Sequence, residues 1–297
     1  MSFLAVASSR TIFDSLDITE DTKQDYLSRL PVFLGFVHTN GITRDLLLNY
    51  KQYLRSRTDL SISTKNKQLA VARITLRELY RKGVISVDLS QGVKSFEQSN
   101  RHKVSGLTEG EVEKICVFLR TADSTFSIVR QRAIVALLLF QGLRTVEICR
   151  LDVSDIDIVN CTLSVLGKGR DDKELMHLHP ETVKALKEYL KRSQVKHGAA
   201  FYSLLGKRRY ERLTTRGLRV IVTNLFEHLS IDRTVHGTRH WYTTRLIKEY
   251  KSDLARVAKY TRHRSLETLN VYNDSILTKA DLPKYYSVFE SSSLTRS

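Results

Sequence analysis

Residues 133–140 are apolar without interruption, and together with the segment from Ile128 they read as one nearly all-apolar helix. A helix apolar all round has to be enclosed by other elements, so the chain on either side must build a lobe with residues 128–140 at its centre. The run is eight residues long, far short of the roughly twenty that a membrane span requires. Gly142 ends the helix. Arg144 follows at once, with a short helix to Leu151 that carries Glu147 in its first turn, where a carboxylate complements the helix dipole.

The rest of that lobe can be read outward from this core. Thr108-Glu109-Gly110-Glu111 is a helix start before it. After it, Leu163 and Val165 alternate with polar residues. A turn then runs over Gly167-Lys168-Gly169-Arg170-Asp171-Asp172, and residues 175–178 return as a second strand, giving a hairpin with Lys168 near its tip. Pro180 and Glu181 open another helix with Val183, Leu186 and Leu190 inward. At 297 residues the chain suggests about two domains. Residues 97–105, with Arg101-His102-Lys103, are polar and lie between patterned segments. The expected division is a domain over 1–98, a linker over 99–105 and a second domain over 106–297.

Residues 19–83 read as short amphipathic helices. The first carries Tyr26, Leu30, Phe33 and Leu34, and Pro31 predicts a break near Leu30. The second follows a Thr43 cap and carries Leu47, Tyr50 and Leu54. The third, capped by Ser63 or Thr64 and closed by Gly83, has Leu69, Ala72, Leu76 and Leu79 on one face. Its other face aligns Arg73, Arg77 and Arg81 at i, i+4 and i+8, a row that fits a phosphate backbone better than a solvated face.

Charge narrows the function. The chain holds 48 Lys+Arg against 32 Asp+Glu, a net +16, with a sequence pI near 9.8, the footprint of a polyanion binder. Both parts are basic: residues 1–105 hold 16 Lys+Arg and 10 Asp+Glu, and the remainder 32 and 22. Lys207, Arg208, Arg209, Arg212, Arg216 and Arg219 surround Tyr210 within thirteen positions, a concentration that predicts a DNA-facing loop and helix start. Cys116, Cys149 and Cys161 fit neither a disulfide framework nor a metal spacing, so they read as small apolar residues in a reducing compartment. The N-terminus has no basic region ahead of its short apolar stretch, so a signal peptide is not expected, and the expected location is the cytoplasm, at the nucleoid.

The remaining chemistry sits toward the C-terminus: His236-Gly237-Thr238-Arg239, Thr261-Arg262-His263 and Asn270-Val271-Tyr272. With Arg144 and Lys168 these make a set suited to attack on a phosphodiester. Negative charge gathers on its non-bridging oxygens, and fixed cationic donors stabilise it. A tyrosine hydroxyl of ordinary pKa about 10 is scarcely ionised at neutral pH, so Tyr272 as nucleophile needs an activating neighbour. Thirteen tyrosines make any single one a packing residue by default, and Tyr242, Tyr250 and Tyr260 are read so. His177 and His240 are left outside the set.

In order and spacing these residues resemble the tyrosine recombinases, the phage integrase family, of the short Xer-like or Cre-like kind. Gln141-Gly142-Leu143-Arg144-Thr145-Val146-Glu147-Ile148 is similar to the family's first arginine motif. Gly167-Lys168-Gly169 is similar to its hairpin lysine motif, His236-x-x-Arg239 to its H-x-x-R motif, and His263 precedes Tyr272 by nine residues as its last histidine precedes the nucleophile. The sequence departs at Arg262, where a glycine is usual, and at Leu175, which follows Lys173-Glu174 where a basic residue is frequent. The resemblance implies a mainly α fold with a small β-sheet: a helical, SAM-like N-terminal core-binding domain and a mixed α/β catalytic domain forming a C-shaped DNA clamp.

What the resemblance implies for function is site-specific recombination through a 3′-phosphotyrosyl link, in integration, excision or resolution of mobile elements, with no metal or other cofactor. Tyr272 is the implied nucleophile and Arg144 and Arg239 the stabilisers of the transition state, with Glu147 in support. Lys168 is the implied general acid, His236 the proton acceptor and His263 a phosphate donor. Arg262 is expected to add a phosphate contact or to alter the approach to His263. The expected partner is double-stranded DNA, with a tetramer assembled on two sites and the tail after Tyr272 docked on a neighbouring protomer. A type IB topoisomerase and a DNA-binding protein without catalysis are the rival readings.

Overall fold

The computed structural model describes residues 11–98, 106–167, 169–204, 209–263 and 265–287. Two compact units meet in sequence at residues 100 and 101, each with its own apolar core. The expected linker, 99–105, lies outside the described residues.

In the first unit, α1 (Glu20–Asn40), α2 (Leu46–Ser56) and α3 (Ile62–Arg81) pack pairwise. Leu30, Phe33 and Val37 of α1 meet Leu47, Tyr50 and Leu54 of α2 and Leu69, Ala72, Leu76 and Leu79 of α3 in one cluster. The break expected at Leu30 does not occur: α1 continues through Pro31. Proline removes only one backbone donor there, and the buried residues on both sides of it belong to the same core. Two caps also differ. Asp45 stands at the start of α2, where the Thr43 carbonyl accepts from Leu46 N–H. Ser61 caps α3, its Oγ accepting from Thr64 N–H at 3.1 Å. Gly83 closes α3 at φ +69, as expected of a residue that must enter the left-handed region.

The arginine row of α3 is partly bound up in this unit. Arg73 donates to the Val93 carbonyl at 2.7 Å and Arg81 to the Glu78 carboxylate at 2.8 Å, while Arg77 is exposed.

The second unit is organised around α5 (Phe126–Leu139), which contacts α4 (Glu109–Thr121), α6 (Thr145–Arg150), α7 (Pro180–Ser193), α8 (Thr215–His228) and α9 (His236–Glu249). Val129, Ala133, Ile134 and Leu137 are fully enclosed, as the apolar circumference of the segment requires. Thr108 and Glu111 close a reciprocal capping box at α4. A three-stranded antiparallel sheet, β1 (Ile156–Asp157), β2 (Thr162–Leu166) and β3 (Lys173–His177), runs in sequence order, with Thr162 opposite His177 and Leu166 opposite Lys173. Leu163 and Val165 point into the core, whereas Leu175 is 65% exposed. The last helices, α10 (Leu254–Thr261) and α11 (Leu266–Ser287), join the end of α9 in a smaller cluster of Ile247, Val257, Leu269 and Tyr272. No described helix is long and apolar enough to cross a membrane.

Candidate active site

The site assembles where the end of α5, the start of α6, α9, the α10–α11 turn and α11 meet. Gly142 makes the first part of it. Its φ is +58, and a Cβ there would overlap the Tyr242 ring, so only glycine fits. The turn it permits presents the Gly142 carbonyl to Arg239 and places Arg144 at the N-cap of α6. Arg144 is fixed by Glu147, which accepts from its backbone N–H and from its Nη1, each at 2.8 Å. Glu147 is fully buried. Burial would raise its pKa, but Arg262 and Arg144 outweigh that and hold the carboxyl below its ordinary value.

Arg239 projects from the first turn of α9 and is 3% exposed. Besides the Gly142 carbonyl, its Nη2 donates to the Thr261 carbonyl at 2.5 Å at the end of α10. One guanidinium thus ties the α5–α6 turn to the segment that carries His263. Burial first, and then the neighbouring Arg144 and Arg262 charges, bring its pKa down to about 10, which leaves it charged at neutral pH.

His263 is partly buried, and its Nδ1 lies 2.7 Å from Thr261 Oγ1. That hydroxyl donates back to the Val257 carbonyl at 3.0 Å. The network therefore assigns the ring proton to Nδ1, with the lone pair on Nε2. Desolvation, followed by the Arg239, Arg144 and Arg262 charges, pushes the His263 pKa down to about 3. The ring is neutral at physiological pH, and its Nε2 can donate a hydrogen bond only after taking up a proton.

Tyr272 is 4% exposed. Its ring is 4.5 Å from that of His240 and 6.4 Å from that of His263. Burial raises its pKa, and the Arg239 and Arg144 charges oppose the rise without cancelling it. The hydroxyl therefore stays protonated until a base removes the proton. His236 begins α9 and is exposed.

Arg144, Glu147, Arg239, His263 and Tyr272 come together, with His236 at the same end of α9. Lys168 lies outside the described residues, as do Lys207 and Arg208; Gly169 beside Lys168 has φ +69. Two positions expected to face DNA are turned to other partners. Arg262 is 7% exposed, and its Nη2 donates to Glu147 at 2.7 Å. Arg212 donates to the Cys149 and Leu151 carbonyls, both at 3.1 Å, and to Asp152. The Arg262 side chain is buried against its acceptor, whereas the Arg212 side chain is held by its acceptors and still 43% exposed. Arg209 lies over the exposed Tyr210 ring at 4.9 Å, and Arg216 and Arg219 are exposed on α8. Among the residues read as packing, Tyr242 packs against the core and Tyr250 stacks on Tyr260 at 5.6 Å. Sequence reasoning passed over His240, although it lies four residues after His236 and so on the same helix face. It also passed over the carbonyls of Gly142 and Thr261, which no side-chain pattern announces.

The phage integrase family model matches residues 106–277. A tyrosine recombinase XerC of Lacticaseibacillus casei (strain BL23) is 25% identical over 284 residues, covering 90% of this chain and 92% of its own. The XerC of Leptospira interrogans serogroup Icterohaemorrhagiae serovar copenhageni (strain Fiocruz L1-130) is 26% identical over 226 residues, 75% of this chain and 71% of its own. In structure, the chain is similar to the XerH site-specific recombinase bound to a palindromic difH substrate in a post-cleavage complex, with TM-score 0.71, 20% identity and coverage of 91% and 80%. It is also similar to a lambda integrase (75–356) dimer bound to a COC′ core site, with TM-score 0.61, 17% identity and coverage of 89% and 92%. These structural likenesses establish the fold, and because the family model spans more than half of the chain, the protein belongs to the phage integrase family.

Proposed function

We propose that this protein is a site-specific DNA recombinase that cuts and rejoins strands through a phosphotyrosyl intermediate. The observation that carries the reading is the convergence of Arg144, Arg239 and His263 on a buried tyrosine. In the proposed step, Tyr272 Oη forms a bond to the scissile phosphorus and the bond from phosphorus to the 5′ oxygen breaks. The tyrosine proton passes to His236, and Lys168 supplies a proton to the departing 5′ oxygen. Arg144 and Arg239 meet the charge that builds on the non-bridging oxygens, from positions already fixed by Glu147 and by the two carbonyls, so little reorganisation accompanies the reaction. One phosphodiester replaces another, and a 5′-hydroxyl of a partner strand can reverse the link onto a new duplex without a nucleotide to drive it. The first unit is proposed to hold the same duplex. The working assembly is proposed to be a tetramer on two sites, in the cytoplasm at the nucleoid.

Covalent capture tests this whatever the target sequence is. Wild type and Tyr272→Phe are expressed in cells, non-covalent complexes are stripped with denaturant, and the DNA still attached is sequenced. A discrete sequence retained by wild type and lost in the variant is the expected result. Attachment scattered without sequence preference would favour the topoisomerase, and no attachment by either protein would overturn strand transfer.

A further inference from the structure

Arg262 combines three features that conflict unless the side chain has a task. It is the C-cap of α10 in the left-handed region, at φ +55, which residues with a Cβ enter only at a cost. Its guanidinium is buried, with 4% of the side chain exposed, against a carboxylate that is wholly buried. And it reaches out of its own element: Nη2 donates to Glu147 Oε2 at 2.7 Å, and Nη1 approaches Met176 Sδ on β3 at 3.0 Å. Stability is a poor explanation, because a buried ion pair is often replaced by apolar residues without loss.

We propose that Arg262 is a positioning residue for Arg144, acting through Glu147. Glu147 holds Arg144 Nη1 with Oε1 and receives the Arg144 backbone N–H on Oε2, the oxygen that Arg262 also holds. Fixing Oε2 from the far side sets the carboxylate plane, and that plane sets the direction of the Arg144 fork. Arg262 is covalently adjacent to Thr261, whose carbonyl holds Arg239, and to His263. A single residue therefore sets α6, the end of α10 and strand β3, the return strand of the Lys168 hairpin, in one register. Lysine cannot do the same, since it is a point charge without the planar fork.

The proposal rests on the strand-transfer reading, and its test separates the two. Arg262→Gly relieves the backbone and removes the fork. Arg262→Lys keeps a charge beside Glu147. Each is compared with wild type on a suicide duplex carrying the captured sequence, by the single-turnover rate of covalent attachment and by DNA affinity. The measurement is repeated on a duplex in which a methyl group replaces one non-bridging oxygen of the scissile phosphate. That substrate lacks the charge Arg144 meets, so an error in placing Arg144 should matter little on it. We expect Arg262→Gly to slow attachment to the phosphate by about tenfold to a hundredfold at unchanged affinity. On the methylphosphonate it should match wild type, and Arg262→Lys should show a smaller loss of the same kind. Equal slowing on both substrates, or no slowing on either, overturns the proposal while strand transfer stands. If Arg262→Gly does not fold, the same comparison for Arg262→Lys decides. Wild type that forms no covalent link overturns both readings at once.

Discussion

Gly142 shows how one residue can serve both fold and chemistry. Its backbone needs φ +58, its α-hydrogens leave room for the Tyr242 ring, and its carbonyl receives Arg239. Gly142→Ala should therefore destabilise by about 2 kcal/mol or more, through left-handed strain and overpacking together. It should also lose covalent attachment to DNA beyond what the fall in Tm explains, because the Arg239 acceptor shifts. A Tm and an attachment rate like those of wild type would defeat this account. His263 allows a second prediction. Its folded pKa of about 3 lies below the ordinary 6.5, so between those values the unfolded chain binds the extra proton. The stability this gives is complete above pH 6.5 and falls as pH drops toward 3. A bound phosphate would offset the three arginine charges, so the pKa should rise on DNA. Histidine-labelled NMR titration of the free and DNA-bound protein checks this. A free-state pKa near 6.5, or no rise on binding, would refute it.

At the scale of elements, some cations stand exposed and some are bound to the fold, and the sequence does not distinguish them. The spacing of the candidate site is legible because it is local: Gly142 to Glu147 is a turn and a capped helix, His236 and Arg239 share one helix face, and Tyr272 follows His263 at a fixed offset. The core helix is legible because its apolar circumference admits one environment. Direction is not legible. Arg212 reads as part of a basic cluster, yet its guanidinium secures the end of α6 through the Cys149 and Leu151 carbonyls and Asp152. Arg262 reads as an extra phosphate contact but turns inward, since the Glu147 carboxylate that receives it is distant in sequence. Pro31 differs from expectation for a similar reason, as packing against α2 and α3 outweighs local propensity. Arg212→Ala should consequently lower stability by about 1–3 kcal/mol and leave the salt dependence of DNA binding unchanged. Arg216→Ala and Arg219→Ala, on the exposed side of α8, should do the reverse. Each should make the slope of log K against log salt shallower by about 0.9, the value for one phosphate that is no longer neutralised. A shallower slope for Arg212→Ala with an unchanged Tm would reverse the assignment.

For the whole molecule, the relevant fact is that charge and core are both divided. Residues 1–105 carry a net +6 and the remainder +10, and each unit encloses its own apolar cluster. Two separately cored, separately basic units joined by a short segment are suited to bind one polyanion together, because linkage converts the second binding event into an intramolecular one. Each unit made alone should fold, with its own cooperative unfolding transition. Each should bind duplex DNA weakly, and the two salt slopes should sum approximately to that of the intact chain, since each counts the phosphates its own cations neutralise. The intact chain should bind more tightly than either unit by about two to four orders of magnitude, the gain expected when the linker lets both units engage one duplex. Fluorescence anisotropy across a salt series, with the captured sequence as probe, measures both quantities. If residues 101–297 alone reproduce the affinity and slope of the full chain, the first unit does not hold the duplex, and its positive charge needs another explanation.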